Sequence, residues 1–316
     1  MAGRTAIGID IGGTRARGVL MADDGSILAR EVRDTPAENV EATMETIYSM
    51  AKALQGEGEA AAVGIGAAGI VDFRAGAMRF APNLAWKEVP IRDLVRERTG
   101  LPVLVDNDAN VAAWGEYRFG SGRGYRHLLA VTVGTGIGGG IVDGGRLYRG
   151  AHGFAAEIGH IIVQPGGPLC GCGNRGCWEQ VASGRALARM GQDVADFDPG
   201  SRIASLAGQG RVTGLVVAAA ARERDPRAVE IFAEVGRRLG EGIAGLVNVL
   251  DPEAVVVGGG VAEEGDVLLE PARKAYGDAV EAPDHRPEVP ILAASLGTEA
   301  GAIGAAALAL HEAPNG

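Results

Sequence analysis

Cysteine is scarce here: 316 residues carry three thiols, Cys170, Cys172 and Cys177, and only five histidines. An odd count leaves one thiol unpaired, and no secretory segment implies an oxidising compartment, so a disulfide framework is disfavoured. No apolar run reaches the length of a membrane span, and Met1–Thr5 lacks the long apolar region of a signal peptide. Free thiols without an export signal point to the cytoplasm. Excess positive charge is also missing: the formal net charge is −10 and the pI near 5.1. Nucleic acid and anionic membranes are therefore not expected partners, although backbone amides and helix ends can still bind a phosphate ligand. GxxxxGK(S/T) is absent, which excludes a P-loop NTPase, and no HRD or DFG pair marks a protein kinase. The run GTGIGGG is followed by a strand where a dinucleotide fingerprint requires a helix.

What is present is apolar material for a core, 47% of the residues, and length for about two domains. The chain opens as strand, turn, strand, turn, strand. Ala6–Asp10 is an apolar strand, Ile11–Arg15 a glycine-rich turn, Ala16–Met21 a second strand and Ile27–Val32 a third, with Asp24-Gly25 as a hairpin signal. Thr35-Pro36-Ala37-Glu38 has capping-box spacing, and Val40, Met44, Ile47, Met50 and Leu54 follow at helical intervals. Strands at Ala61–Ile65 and Val103–Val105 alternate with helices at Ile91–Arg98 and Ala109–Phe119.

The opening pattern then returns. LLAVTV from Leu128 is a strand, Gly134-Thr135-Gly136 a turn, Gly139–Val142 a strand, and Asp143-Gly144 a hairpin signal before Arg146–Tyr148. Order and punctuation repeat more than residues do, which predicts two similarly folded halves with a cleft between them. Helices around Ser183–Gly191, Leu215–Arg222 and Ala228–Leu250 follow. After them come a strand at Ala254–Val257, the turn Gly258-Gly259-Gly260, a strand at Ile291–Ala294 and an alanine-rich helix at Glu299–Leu310. Alternating strands and helices give an α/β class. Ser121–Gly124, SGRG, is the best candidate hinge.

The densest chemistry lies between Glu157 and Glu179. Three thiols and the His160 imidazole within eighteen residues are the complement of a closed tetrahedral zinc site, in a Gly- and Pro-rich loop that can fold around an ion. His152 is an alternative fourth ligand, and inert buried thiols are the plainer reading. A zinc there would fix Glu157 relative to Glu179, and two braced carboxylates suit a polyhydroxyl ligand.

Asp10-Ile11-Gly12-Gly13-Thr14 ends a strand: its glycines let backbone amides approach a phosphate, Thr14 adds a hydroxyl, and Asp10 is placed to hold magnesium through water. Either glycine turn alone is most often just a tight turn; two matched turns in a duplicated fold are a stronger signal. Gly258-Gly259-Gly260 reads equally as a turn and as room for a flat base. Asp106, Asn107 and Asp108 precede a helix, so each is a good N-cap, worth about 1 kcal/mol. Asp108 is equally a carboxylate poised at a strand end to take a proton from a hydroxyl. Asn83 is a polar turn residue that means little by itself.

Together DIGGT (Asp10–Thr14), NDAN (Asn107–Asn110), GTGIGGG (Gly134–Gly140), EIGH (Glu157–His160) and CGCGNRGCWE (Cys170–Glu179) resemble the ROK family of repressors, open reading frames and kinases. The likeness runs from residue 6 to the terminal helix, and the cysteine signature is its most specific part. GFAAEIGH and GCGNRGCWEQVASGRAL are most similar to the bacterial ATP-dependent glucokinases of that family. The resemblance implies a duplicated actin-like ATPase (ribonuclease H-like) fold. It divides into a smaller N-terminal α/β domain over 1–120, onto which the helix at about 299–316 packs back, and a larger α/β domain with the zinc loop over 121–298. It implies transfer of the γ-phosphoryl of ATP to the 6-hydroxyl of glucose, with Asp108 as catalytic base. Asn83, Asn107, Glu157, His160 and Glu179 would contact the sugar, and His160, Cys170, Cys172 and Cys177 would bind structural Zn²⁺. Gly12–Thr14 and Gly134–Gly136 would hold the phosphates of ATP, used with Mg²⁺, and Gly258 and Gly259 would lie near the adenosine. A homodimer is implied by the family alone. Fructose, mannose or an N-acetylhexosamine are alternative acceptors. A sugar-responsive regulator fits less well, because the first strand begins at Ala6 and leaves no room for a helix-turn-helix. Ala156 stands before the EIGH acid where many members carry glycine.

Overall fold

The computed structural model describes residues 4–81 and 84–312, and the chain divides into two compact units. The first comprises Met1–Ala130, Gly140–Ala156 and Ser295–Gly316; the second comprises Val131–Gly139 and Glu157–Ala294.

The chain begins with β1 (Thr5–Ile11), β2 (Arg15–Ala22) and β3 (Ile27–Asp34), an antiparallel meander in which Asp10 pairs with Arg17. Along β1 nearly every residue is buried, as a central strand requires, whereas β3 alternates half-buried with exposed positions, the mark of an edge strand with one wet face. Next come α1 (Val40–Glu57), β4 (Val63–Ala67), β5 (Ile70–Asp72), β6 (Ala77–Phe80), β7 (Lys87–Val89), α2 (Ile91–Thr99), β8 (Val103–Asn107) and α3 (Asp108–Phe119). The main sheet runs β3-β2-β1-β4-β8, with β4 parallel to β1 and β8 parallel to β4. One face is covered by α1, which turns Met44, Ile47, Met50 and Leu54 onto it.

After β9 (Leu128–Val133), β10 (Ile137–Asp143) and β11 (Arg146–Leu147) come α4 (Gly184–Phe197), α5 (Arg202–Ala207), α6 (Gly214–Arg222) and α7 (Pro226–Leu250). The chain closes with β12 (Ala254–Gly258), α8 (Asp266–Ala279), β13 (Ile291–Ala293) and α9 (Ala300–Glu312). The second sheet runs β11-β10-β9-β12-β13, so both sheets have the order third, second, first, fourth, fifth. β12 and β13 are parallel, as β4 and β8 are. The repeat read from the two opening patterns is therefore a repeat of topology.

Everything from Gly301 to Ala309 in α9 is buried, which explains a helix of small apolar residues with no polar face. It lies against β1 and β4 with almost nothing between. A Cβ at Gly8 would strike the carbonyl of Ala302, and one at Gly64 the carbonyl of Ala305. Gly304 meets the backbone of Val111 in α3 in the same way. The buried Glu116 carboxylate accepts the amides of Ser121, Ser295 and Leu296, so SGRG is tied at its first residue.

Several expectations need correction. The capping box does not open α1: Asn39 is the N-cap, accepting the amide of Ala42, while the Thr35 hydroxyl is buried without a partner. The Thr35 amide instead donates to Thr14 and the Ala37 carbonyl accepts from Ala85, which holds this stretch extended. Also unforeseen are α5, α8 and the small antiparallel sheet β5-β6-β7. The start of α8 is capped by Gly265 without a side-chain bond, and Pro271 sits inside it, so the usual helix punctuation is absent or misleading.

Candidate active site and metal centre

In the first unit, Asp10 lies near the end of β1, wedged where a Cβ at Gly301 would come within 2.5 Å of its carboxyl. Its Oδ1 is buried with no hydrogen-bond partner, and burial, then the charge of Asp108, push its pKa up to about 7 against the pull of Arg17. An orphaned buried carboxylate oxygen is what a cation or its water shell would satisfy, so the residue fits a magnesium role. The following turn is closed by the Gly12 amide on the Arg15 carbonyl at 3.1 Å, with Gly13 and Thr14 exposed.

The Asp106-Asn107-Asp108 trio divides its roles. Asn107 is the N-cap of α3: its Oδ1 accepts the amides of Ala109 at 2.8 Å and Asn110 at 3.2 Å. Its Nδ2 donates to the Gly69 carbonyl at 3.0 Å. Asp106 is buried and ion-paired to Arg149. Asp108 takes neither task. Burial raises its carboxyl pKa, opposed by hydrogen bonds from Ala109, its own amide and Asn107. A carboxylate made more basic by burial is better matched to proton abstraction. Asn83 lies outside the described residues.

In the second unit the cysteine loop is a tight knuckle. Ile162 bridges to Cys177 and Leu169 to Arg175, and the Cys170 amide donates to Asn174. Gly176, at φ 76°, passes so close to Gln164 that a Cβ would collide with its carbonyl. The ligand atoms of His160, Cys170, Cys172 and Cys177 lie within 4.8 Å of one another. Cys172 Sγ is 3.6 Å from Cys177 Sγ, and Cys170 Sγ is 3.6 Å from His160 Nδ1. A tetrahedron with Zn–S bonds of ~2.3 Å has edges of about 3.8 Å, so the set fits zinc. All three thiols are free. Without an ion, burial pushes Cys177 up to about 12 and raises Cys170, while the Asn174 amide lowers Cys172. His152 is not among this group.

The loop's geometry passes directly to Glu179. Trp178 is fully buried on α7, its ring filling the space that a Cβ at Gly242 would need, and its Nε1 donates to Arg238. The adjacent Glu179 is buried, with Oε1 accepting from Cys170 Sγ at 3.1 Å and Gln180 Nε2 at 3.0 Å. Gly136 lies against its other oxygen. The turn 134–136 is held by the start of α4: Gly184 donates to Gly134, and both the Ser183 hydroxyl and the Arg185 amide donate to Thr135. Gly258 ends β12 and Gly259 follows it. Gly259, at φ 91°, presses on the Val133 backbone, so close strand packing already requires it. Glu157 is exposed and opens the short turn in which the His160 amide donates to its carbonyl. Ala156 before it sits at φ 69°, where left-handed backbone costs an alanine about 1–2 kcal/mol.

Three participants had no place in the sequence reading. Ser183 was findable as a serine at a helix start. Gln180 and Arg149 carry no sequence signal.

The ROK family model matches residues 6–312. A glucokinase from Streptomyces coelicolor is 45% identical over 98% of both chains, and one from Thermotoga maritima is 39% identical over 96% of both. A ROK family glucokinase from Streptomyces griseus, solved with glucose and AMPPNP, superposes with a TM-score of 0.87 at 45% identity, covering 96% of this chain and 98% of that one. The architecture is thus the two-domain actin-like ATPase fold expected from the sequence. By motif, by whole-length identity and by fold, this chain belongs to the ROK family.

Proposed function

We propose that the protein is an ATP-dependent glucokinase, transferring the γ-phosphoryl group of ATP to the 6-hydroxyl of glucose to give glucose 6-phosphate and ADP. The whole-length likeness to glucokinases carries this reading. Phosphoryl transfer asks for positioning and charge stabilisation more than for covalent help. Asp108 orients the 6-hydroxyl and takes its proton. Asn83, Asn107, Glu157, His160 and Glu179 complete the sugar contacts. The turns Gly12–Thr14 and Gly134–Gly136 receive the phosphates, with Gly258 and Gly259 near the adenosine. Mg²⁺, when bound with ATP, neutralises phosphate charge, and Asp10 is the residue to hold it. Zn²⁺ is structural, held by His160, Cys170, Cys172 and Cys177. With Nδ1 of His160 turned to the thiols, Nε2 is left to face the sugar.

No described helix is long and apolar enough to cross a membrane. Three free thiols suit a reducing cytoplasm, and the acidic charge argues against nucleic acid as a partner. A homo-oligomer rests on the family likeness and is tested by sedimentation velocity. An ADP-release assay across glucose, fructose, mannose and N-acetylated hexosamines, with ATP and Mg²⁺, tests the reaction. Turnover highest with glucose supports it; a higher kcat/KM for another sugar reassigns the acceptor.

A further inference from the structure

The strand-to-helix junction that presents Asn107 and Asp108 is held from outside its own segment. Asp106 Oδ1 accepts the Asn107 amide at 2.8 Å and Asn110 Nδ2 at 2.9 Å, which ties the end of β8 to the first turn of α3. Its Oδ2 accepts Nε of Arg149 at 2.6 Å. That pair is nearly dry: the side chains of Asp106 and Arg149 are 2% and 14% exposed. The guanidinium is fixed in turn. Its Nη2 donates to both carboxylate oxygens of Glu312 in α9 at 3.1 Å, and its carbon lies 3.8 Å over the ring of Phe73. Two segments distant in sequence therefore hold one planar group against one carboxylate. A fork with several fixed donors suits this better than the point charge of a lysine.

Arg149 also lines a solvent-open cavity of about 400 Å³, together with Phe73, Arg74, Tyr148 and His152. Removing the guanidinium leaves unpaired a carboxylate that holds the N-cap amide and the Asn110 side chain.

We infer that Arg149 is a positioning residue for the phosphoryl transfer: through Asp106, and braced by Glu312, it sets the junction that aims Asp108. The inference rests on Asp108 being the base. Arg149 acts through a protein carboxylate, so its loss lowers kcat and leaves the KM for ATP unchanged. A displacement of ~1 Å at a reacting group costs roughly 10²-fold in rate, and that sets the expected scale for Arg149→Ala.

The test measures kcat and KM for glucose and for ATP in Arg149→Ala, Arg149→Lys, Asp108→Asn and the Asp108→Asn/Arg149→Ala double variant. Arg149→Ala is also assayed with added methylguanidinium, which can enter through the cavity. Expected are a fall of roughly 10²-fold in kcat for Arg149→Ala, partial recovery with methylguanidinium, and an intermediate value for Arg149→Lys. In the Asp108→Asn background the Arg149 effect should vanish, because groups acting as one unit are not additive. Unchanged kcat in Arg149→Ala, or an undiminished loss in the Asp108→Asn background, overturns the inference while leaving the base in place. Near-normal turnover in Asp108→Asn removes the base and this inference with it. Should Arg149→Ala fail to fold, Glu312→Gln keeps the Asp106 pair and takes its place. A lowered kcat at an unchanged unfolding midpoint supports the inference, and an unchanged kcat overturns it.

Discussion

The two glycine turns close equivalent strands of a duplicated fold and are built by opposite means. At the end of β1 the turn carries a charge: Asp10 stands two residues before Gly12, its Oδ1 buried and unbonded. At the end of β9 the equivalent position is Thr132, and the turn is clamped, with Gly184, Ser183 and Arg185 all donating to the carbonyls of Gly134 and Thr135. One turn is left wanting a ligand; the other is satisfied before any ligand arrives. Duplication has kept the frame and let the chemistry diverge. A cation site and a rigid cradle are separate requirements of phosphoryl transfer.

The largest expected effect comes from the charged side of this comparison. Asp108→Asn should lower kcat by about 10²–10⁴-fold, the range for losing a general base, in a protein that still unfolds at its usual temperature. Turnover close to the parent would sink the assignment. Next is the cysteine loop. Structural zinc contributes on the order of 10 kcal/mol to small isolated sites, so Cys172→Ala should lose the metal by elemental analysis and abolish glucose binding. A metal-free variant that still binds glucose would show that zinc does not organise Glu179. Because Cys170 and Cys177 are protonated at neutral pH without an ion, zinc uptake should release protons and strengthen as pH rises.

Asp10 gives a smaller and more diagnostic signal. Its pKa near 7 in the free protein means that it is partly protonated there, and a cation favours the carboxylate. Binding of Mg·ATP should release protons at about pH 7 and tighten as pH rises through that value. The effect should flatten above about pH 8 and disappear in Asp10→Asn, as read by calorimetry in buffers of different ionisation enthalpy. On the clamped side, Ser183→Ala removes an N-cap and the bond to Thr135, about 1 kcal/mol, and should raise the KM for ATP several-fold while sparing that for glucose. The smallest change is Ala156→Gly. Relief of left-handed strain, less the added freedom of the unfolded glycine, should stabilise the protein by about 0.5–1 kcal/mol. A lowered unfolding midpoint would contradict that.

Much of this was legible in the residues because local signals and tertiary demands agreed. The β1 and β9 strands, their turns and the long helix α7 all appear where apolar periodicity and punctuation place them. The thiols and His160 converge because their loop is too short and too glycine-rich to do otherwise. What stayed hidden depended on partners far along the chain. Thr35 loses its capping role because its amide is claimed by Thr14 and its neighbour Ala37 by Ala85. Glu179 takes its orientation from Cys170 and Gln180, and Asp106 takes its from an arginine forty-three residues away. A side chain's donor cannot be read from its own neighbourhood when a different strand supplies it. Backbone strain is equally silent: Ala156 looks harmless in a string of letters and is costly at φ 69°.

The glycine-to-backbone seating of α9 on β1 and β4 makes one helix serve two purposes. It supplies Gly301 beside Asp10 and Glu312 beside Arg149. Clipping it away would bare one face of the sheet that carries Asp10 and take the brace from Arg149, so a single cut would undo packing and side-chain placement together.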